Sequence, residues 1–125
     1  SEGSPEHRKL RDYIAANPSI LNLPADIKGI VEYPLKSGDS VDVVFELSDR
    51  IVAVEVKSLR SNQDDIERGI YQCIKYKAVL DAEDLSKDNG KNITSHLVIQ
   101  NKLPIALNKL KNKLNVDVVD QVTPI

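Results

Sequence analysis

Three charged residues interrupt apolar stretches of the sequence that otherwise suit buried strands. Asp42 stands in the run VDVVF, and Glu55 and Lys57 stand in the run IVAVEVK. Because successive side chains of a strand point to opposite faces, Glu55 and Lys57 are expected on the same face. An ionised side chain in a half-buried strand is tolerated only with a partner or a metal ion. These residues are therefore candidates for chemistry rather than for packing.

The spacing of the two runs predicts that the two acids lie side by side. Only the short polar turn SDR joins the runs, which indicates an antiparallel hairpin. With Val41 and Val43 facing one core, Asp42 is expected on the opposite face, next to Glu55. A divalent cation would resolve the repulsion of the two carboxylates, and Mg²⁺ prefers carboxylates, water and a substrate phosphate. With the Lys57 ammonium nearby, the pattern predicts hydrolysis of phosphodiester bonds.

Local patterns place these residues in a sheet with helical connections. Ser4 followed by Pro5 is typical of a helix start, and apolar residues at helical spacing indicate two later helices, the first of which is capped by Asp64 or Asp65. Helical crossovers favour parallel pairing of the last strands, so we expect an α/β fold with a mixed sheet and helices on both faces. The predicted order αβββαβαβ comprises a helix at 5–16, strands at 27–35, 41–47 and 51–57, a helix at 64–82, a strand at 95–100, a helix at 103–114 and a strand at 116–119.

Length and composition limit the class of protein. The chain of 125 residues suits one domain, 1–125, and contains no apolar run long enough to cross a membrane. Cys73 is the only cysteine, so it cannot form an internal disulfide; we expect a packed thiol and a cytoplasmic setting. Residues 1–4 are interpreted as a remnant of a tag or of processing, within a module of a longer protein. The net charge of −2 argues against strong nonspecific DNA binding but leaves room for a local basic site.

The motif order resembles that of a nuclease superfamily. Asp42 is followed thirteen positions later by Glu55-x-Lys57, and the next helix contains Gln72-x-x-x-Tyr76. This pattern resembles the PD-(D/E)XK nuclease superfamily, and the helix motif is similar to that of its RecB-like branch. The resemblance spans most of the chain. It implies the restriction-endonuclease-like three-layer α/β/α fold. It also implies an Mg²⁺- or Mn²⁺-dependent nuclease in restriction, repair or defence, with DNA as the first choice of substrate and RNA as the second.

The resemblance also implies a role for each matching residue. Asp42, Glu55 and the backbone carbonyl of Val56 would hold the metal ion. Lys57 would position or deprotonate the attacking water and offset charge on the phosphoryl oxygens. The glutamine and tyrosine of the helix motif would orient the lysine or the nucleic-acid backbone. On the same helix stripe, Gly69 has no side chain and would allow a backbone or phosphate to approach closely.

Further residues are candidates around this site. Many members of the superfamily have an acid in the first helix that helps the metal site, and Glu6 fits that role. His7 is a weaker candidate, similar to the histidine ligand of some RecB-like enzymes; His7 and His96 are otherwise expected at the surface or at a strand edge. Candidate nucleic-acid contacts are Arg60, Arg68 and Lys75.

Each assignment has a structural alternative. Asp42, Glu55 and Lys57 could form an ion pair on an exposed sheet face, and Glu6 could serve only the helix dipole. The glutamine and tyrosine of the helix motif could complete a packing face. Four lysines of the last helical segment could be a solvated face or follow a phosphate backbone: Lys102, Lys109, Lys111 and Lys113.

Two other functions are consistent with the same residues. The chain could be a noncatalytic nucleic-acid or protein binding domain of the same fold; its acidic net charge leaves room for this function, although the intact Asp42, Glu55 and Lys57 argue against it. It could also hydrolyse another phosphoester. A second copy of the chain or further domains of a larger protein are open as partners.

Overall fold

A five-stranded sheet connects all the regular elements of the chain. The computed structural model describes residues 3–87 and 90–125; positions 1 and 2 of the predicted remnant and positions 88 and 89 of a predicted connection lie outside the described residues. The elements are α1 (Pro5–Ala16), β1 (Ile30–Pro34), β2 (Ser40–Glu46), β3 (Arg50–Lys57), α2 (Gln63–Lys87), β4 (Asn92–Ile99), α3 (Asn108–Lys113) and β5 (Asp117–Val119), with 3₁₀ turns at Pro18–Leu21 and Ile105–Leu107.

The strands lie in the sheet in the order in which they occur along the chain, β1-β2-β3-β4-β5. The β1–β2 and β2–β3 pairs are antiparallel, whereas the β3–β4 and β4–β5 pairs are parallel. Short turns join the antiparallel strands, and helices join the parallel ones because the chain must return to the same end of the sheet. The predicted mixed sheet in an α/β fold is confirmed.

Helices cover both faces of this sheet. Leu10 and Ile14 of α1 share a core cluster with Val54 of β3 on one face. On the other face, Leu80 of α2 clusters with Ala53 of β3. The leucines of the C-terminal helical segment pack with α2 on that second face, as their spacing indicates. The arrangement is compatible with a three-layer α/β/α architecture. Among the described residues, no helix is long and apolar enough to cross a membrane.

The start of α2 differs from the prediction. The cap is Asn62, whose Oδ1 accepts a hydrogen bond from the N–H of Asp65 at 2.9 Å, while Asp65 Oδ2 accepts from the N–H of Asn62 at 2.9 Å. This reciprocal pair satisfies two backbone donors that a helix start leaves without partners. Asp65 is therefore a partner of the cap, and the prediction that Asp64 or Asp65 is the cap residue is wrong.

The end of α2 and the bounds of other elements also differ from the prediction, and β1 begins at Ile30 rather than at residue 27. Helix α2 continues to Lys87, beyond the predicted end at Ala82, and β4 begins at Asn92 rather than at residue 95. The predicted helix at 103–114 is shorter, because Pro104 has an extended ψ of 134° and the segment passes through a 3₁₀ turn before α3 begins.

The side-chain alternation of β2 is interrupted at Asp42. Val43 packs in the cluster under α1, whereas Val41, two residues earlier, packs in the cluster under α2. Regular alternation would put both valines on one face, so that prediction is wrong. In β1, Glu32 lies between the pairing partners of Val41 and Val43 and has a φ of 51°. The irregularity thus crosses two neighbouring strands at the position of Asp42.

A glycine next to β2 tests how tightly α1 packs on the sheet. A Cβ added at Gly29 would lie 2.5 Å from Val43 Cγ1 and 3.0 Å from Ala15 Cα. The Gly29 N–H also donates to the Ala15 carbonyl at 2.9 Å, which holds the backbone in place. We expect Gly29→Ala to lower the free energy of unfolding by about 1–3 kcal/mol in urea denaturation. Gly3→Ala, with no neighbouring atom within 4 Å, is the control; equal stability of both variants would contradict this packing.

Candidate active site

Asp42, Glu55 and Lys57 meet where β2 separates from β3. Asp42 Oδ2 accepts a hydrogen bond of 2.8 Å from the N–H of Val56, the residue between Glu55 and Lys57. Lys57 Nζ lies 3.5 Å from Glu55 Oε2. The three residues are almost inaccessible to solvent, with exposed fractions of 9% for Asp42, 0% for Glu55 and 8% for Lys57. The alternative of an ion pair on an exposed sheet face does not fit this burial.

The interrupted alternation explains how Asp42 reaches this position. The β2–β3 ladder contains the pair Val43 and Val54. Beyond that pair, the Asp42 carboxylate, rather than a backbone carbonyl of β2, accepts the hydrogen bond from the N–H of Val56. The N–H and C=O of one strand residue point to the same neighbouring strand. The Val56 carbonyl is therefore directed towards β2, the strand that carries Asp42.

Asp42 is held by three groups that favour its ionised form. Burial raises the pKa of Asp42, but hydrogen bonds and charge from His7, the N–H of Val56 and a hydrogen bond with Glu55 together lower it below its ordinary value. His7 Nε2 lies 3.4 Å from Asp42 Oδ1. These contacts together favour the ionised form of Asp42.

Two residues of α2 orient the other members of the site. Tyr76 Oη donates a hydrogen bond of 3.1 Å to Glu55 Oε1, and both groups are buried. A Cβ added at Gly69 would lie 3.2 Å from Lys57 Cε and 2.9 Å from Leu97 Cδ1. The space beside Gly69 is thus filled by the lysine stem and a leucine, and the expectation that it admits a phosphate is wrong. The glycine lets the lysine lie close against the helix.

Gln72 takes a different position from Tyr76. It is half-buried on the flank of α2 and lines a groove on the outside of the helix with Arg68 and Lys75. Of the two residues in the predicted helix motif, the structure brings Tyr76 into hydrogen-bond contact with Glu55, while Gln72 lines the outer groove.

The donor set suits a divalent cation that keeps several waters. Within residues 3–87 and 90–125, no group of three or more His, Cys, Asp or Glu side chains is arranged to hold a metal ion. The site instead offers two neighbouring carboxylates and a carbonyl directed to the same side. Mg²⁺ is usually bound by one or two carboxylates, with water and substrate phosphate completing its shell. The residues fit this type of site rather than a closed cage of side chains.

The first helix presents His7, not Glu6, to the acids. Glu6 Oε1 lies 3.4 Å from Arg60 Nη1, whereas His7 is 3% exposed and contacts Asp42. The expectation of a surface histidine at position 7 is wrong. The missed signal is the spacing of His7, Leu10 and Ile14, which puts all three residues on the buried stripe of α1.

The predicted nucleic-acid contacts all have acidic neighbours. Each of the three cations forms an ion pair in which its own side chain is exposed to solvent. Exposed pairs of this kind contribute only ~0–1 kcal/mol to stability, so they do not hold the cations firmly. The pairs are Arg60 with Glu6, Arg68 with Asp65, and Lys75 with Asp39.

The comparisons with known proteins leave the identity open. No family model, curated protein or solved structure matches the chain. The roles of the site residues are therefore argued from the geometry of this chain, and the resemblance to a nuclease superfamily stays a prediction.

The structure also gives the burial and contacts of two titratable residues outside the acid cluster. Cys73 is fully buried in α2, and burial raises the pKa of its thiol, as expected for a packed cysteine. His96 lies on β4, an inner strand, so the prediction of a surface or strand-edge position is wrong. Its Nε2 lies 3.0 Å from Thr94 Oγ1, and its Nδ1 lies 3.6 Å from Asp117 Oδ2.

The burial of His96 predicts a pH dependence of stability. Burial lowers its pKa below 6.5; Arg50 adds to this effect and Asp117 opposes it. The unfolded chain therefore takes up this proton first as the pH falls, and stability should decrease from pH 6.5 towards the lowered folded pKa. In urea denaturation, His96→Gln should weaken the loss of stability between about pH 7.5 and 5. An unchanged pH dependence in the variant would contradict this account.

Proposed function

We propose that the chain is a metal-dependent nuclease domain that hydrolyses phosphodiester bonds of DNA. We also propose that its α/β fold is the restriction-endonuclease-like fold of the PD-(D/E)XK superfamily, in the RecB-like branch. The supporting observation is the burial of Asp42, Glu55 and Lys57 together at one point between β2 and β3. Asp, Glu and Lys are almost never fully buried unless they are paired, and buried clusters of such groups are more frequent at functional sites.

The residues of the site would have different roles in the proposed reaction. Asp42, Glu55 and the Val56 carbonyl would hold Mg²⁺ or Mn²⁺, which when bound would supply a Lewis acid at the phosphate. Lys57 would place its ammonium beside the same phosphate, orient the attacking water and offset the negative charge that develops in the transition state. Burial excludes bulk water, which strengthens these electrostatic interactions.

The surrounding residues would keep this geometry before substrate arrives. His7 Nε2 lies 3.4 Å from one oxygen of Asp42, and the N–H of Val56 donates to the other oxygen. Tyr76 fixes the rotamer of Glu55 through its hydroxyl. Preorganised charges of this kind need no rearrangement during the reaction, which is the main source of electrostatic catalysis.

A second candidate function is a noncatalytic nucleic-acid or protein binding domain of the same fold. The observation that favours it is the pairing of Arg60, Arg68 and Lys75 with acids, in a chain whose net charge is −2. Such a domain would bind without cleaving, and the acid cluster would serve only stability.

Cleavage assays separate the two functions. We expect the wild-type protein to nick plasmid or degrade single-stranded DNA with Mg²⁺ or Mn²⁺ and to stop when EDTA is added. Lys57→Ala should reduce the rate about 10²-fold or more, because the ammonium acts on the transition state. Lys77→Ala, which removes an exposed lysine paired with Asp81, is the control for loss of charge. Binding without cleavage by the wild type would support the noncatalytic domain and reject the nuclease.

The glycine behind the lysine provides an indirect test of the same site. In Gly69→Ala, the new methyl group would press on Lys57 Cε and Leu97 Cδ1 and displace the ammonium. Because misplacing a catalytic group by about 1 Å can cost up to about 10²-fold in rate, we expect cleavage to fall at least several-fold. Glu67→Ala, on an exposed position of the same helix, is the control. Full activity of a folded Gly69→Ala variant, checked by circular dichroism, would contradict the assigned role of Lys57.

A further inference from the structure

A groove lies along the outer side of α2, next to the proposed catalytic site. Its volume is about 320 Å³, and it is lined by Arg68, Tyr71, Gln72 and Lys75. Their spacing of three and four residues puts all four on one face of the helix, over a length of about 10 Å. The groove is part of a continuous helix of 25 residues, so its floor is rigid.

Tyr71 gives this groove an unusual surface. Its exposed fraction is 52%, and no other aromatic side chain in the described part of the chain is exposed. Phe45 and Tyr76 are buried, and Tyr13 and Tyr33 are partly buried. A solvent-exposed ring on a helix surface does nothing for the core, but its face is free to stack on a planar group. Successive bases of an unpaired strand stack on aromatic side chains in this way.

The two cations of the groove flank this ring. Arg68 precedes Tyr71 by three residues and Lys75 follows it by four, so each lies about one helical turn away. Both have exposed side chains, and their partners Asp65 and Asp39 sit at the helix start and in the β1–β2 turn. Exposed ion pairs are weak and exchange readily, so a phosphate can replace the carboxylate at either cation.

One residue of the groove is close along the helix to residues that contact the acid cluster. Gln72 lies three residues after Gly69 and four residues before Tyr76. The Lys57 side chain lies against Gly69, and Tyr76 donates to Glu55. Helix α2 therefore carries the groove on its outer side and contacts the acid cluster on its inner side.

We propose that this groove binds an unpaired DNA strand, with one base stacked on Tyr71 and phosphates at Arg68 and Lys75. A duplex does not fit this proposal, because the faces of its bases are covered by their stacked neighbours. The substrate class is then single-stranded DNA or a frayed duplex end. As a statement about the substrate, the inference rests on the proposed nuclease function.

Binding in EDTA tests the groove without cleavage. Fluorescence anisotropy would compare a labelled twelve-nucleotide thymidine oligomer with a duplex of the same length. We expect the wild-type protein to favour the single strand, Tyr71→Leu to weaken single-strand binding about 10-fold, and Tyr71→Phe to retain it. Leu85→Ala, at an 80% exposed apolar position of the same helix, is the control. Equal single-strand affinity of Tyr71→Leu and the wild type would overturn the proposal.

A matched pair of charge variants tests the phosphate contacts. Asp39 pairs with Lys75 at 2.8 Å, and Asp81 pairs with Lys77 at 2.7 Å, with side-chain exposures of 42% and 43%. Asp39→Asn and Asp81→Asn change the net charge equally, but only the first releases a lysine of the groove. We expect Asp39→Asn to tighten single-strand binding several-fold more than Asp81→Asn. Equal effects of the two variants would overturn the contact at Lys75.

The outcomes distinguish the groove from the nuclease. Tyr71-dependent binding without any metal-dependent cleavage would support the groove and reject the proposed function. Lys57-dependent cleavage of single strands that Tyr71→Leu leaves unchanged would support the nuclease and overturn the groove.

Discussion

The hydrogen bond from the N–H of Val56 to Asp42 Oδ2 is the interaction around which the rest of the site is arranged. A buried backbone N–H must be paired, and here a side chain takes the place of the neighbouring strand. Because the Asp42 side chain pairs with this N–H, β2 can separate from β3 here. The Asp42 carboxylate thus lies at Val56, the residue between Glu55 and Lys57 in the sequence. The contacts of His7 and Tyr76 then complete the polar cluster from the two helices that sandwich the sheet.

The charged groups of this cluster are buried together. Asp42 lies beside the His7 imidazole, and Glu55 lies beside the Lys57 ammonium. In the proposed function, a divalent cation would bind both carboxylates. The low dielectric of a buried site strengthens paired charges and makes an unbalanced charge costly. The charge of these residues makes them unsuitable for an apolar core, and the same charge would suit them for binding a cation and a phosphate.

The outer surface of the chain differs from the buried site in how its charges are distributed. The chain is slightly acidic, and its candidate phosphate contacts are balanced by acids, so charge alone offers little nonspecific attraction for DNA. In the proposed groove, the exposed ring of Tyr71 would contribute to DNA recognition in a way that does not depend on net charge. Helix α2 joins both surfaces, because its inner face supports Lys57 and Glu55 while its outer face carries Tyr71.

Local periodicity was sufficient to predict the class of fold, the order of the helices and strands, and the residues that would interrupt the core. These properties depend on neighbours in the sequence, as the helix start at Ser4 and Pro5 and the valines of β3 illustrate. The sequence also carried the signal for His7, in its spacing from Leu10. The break at Asp42 depended on pairing across β1, β2 and β3, and the placement of Lys57 depended on contact with Gly69. Only the tertiary structure decided these features, because strand irregularities and close packing arise between segments that are distant along the chain.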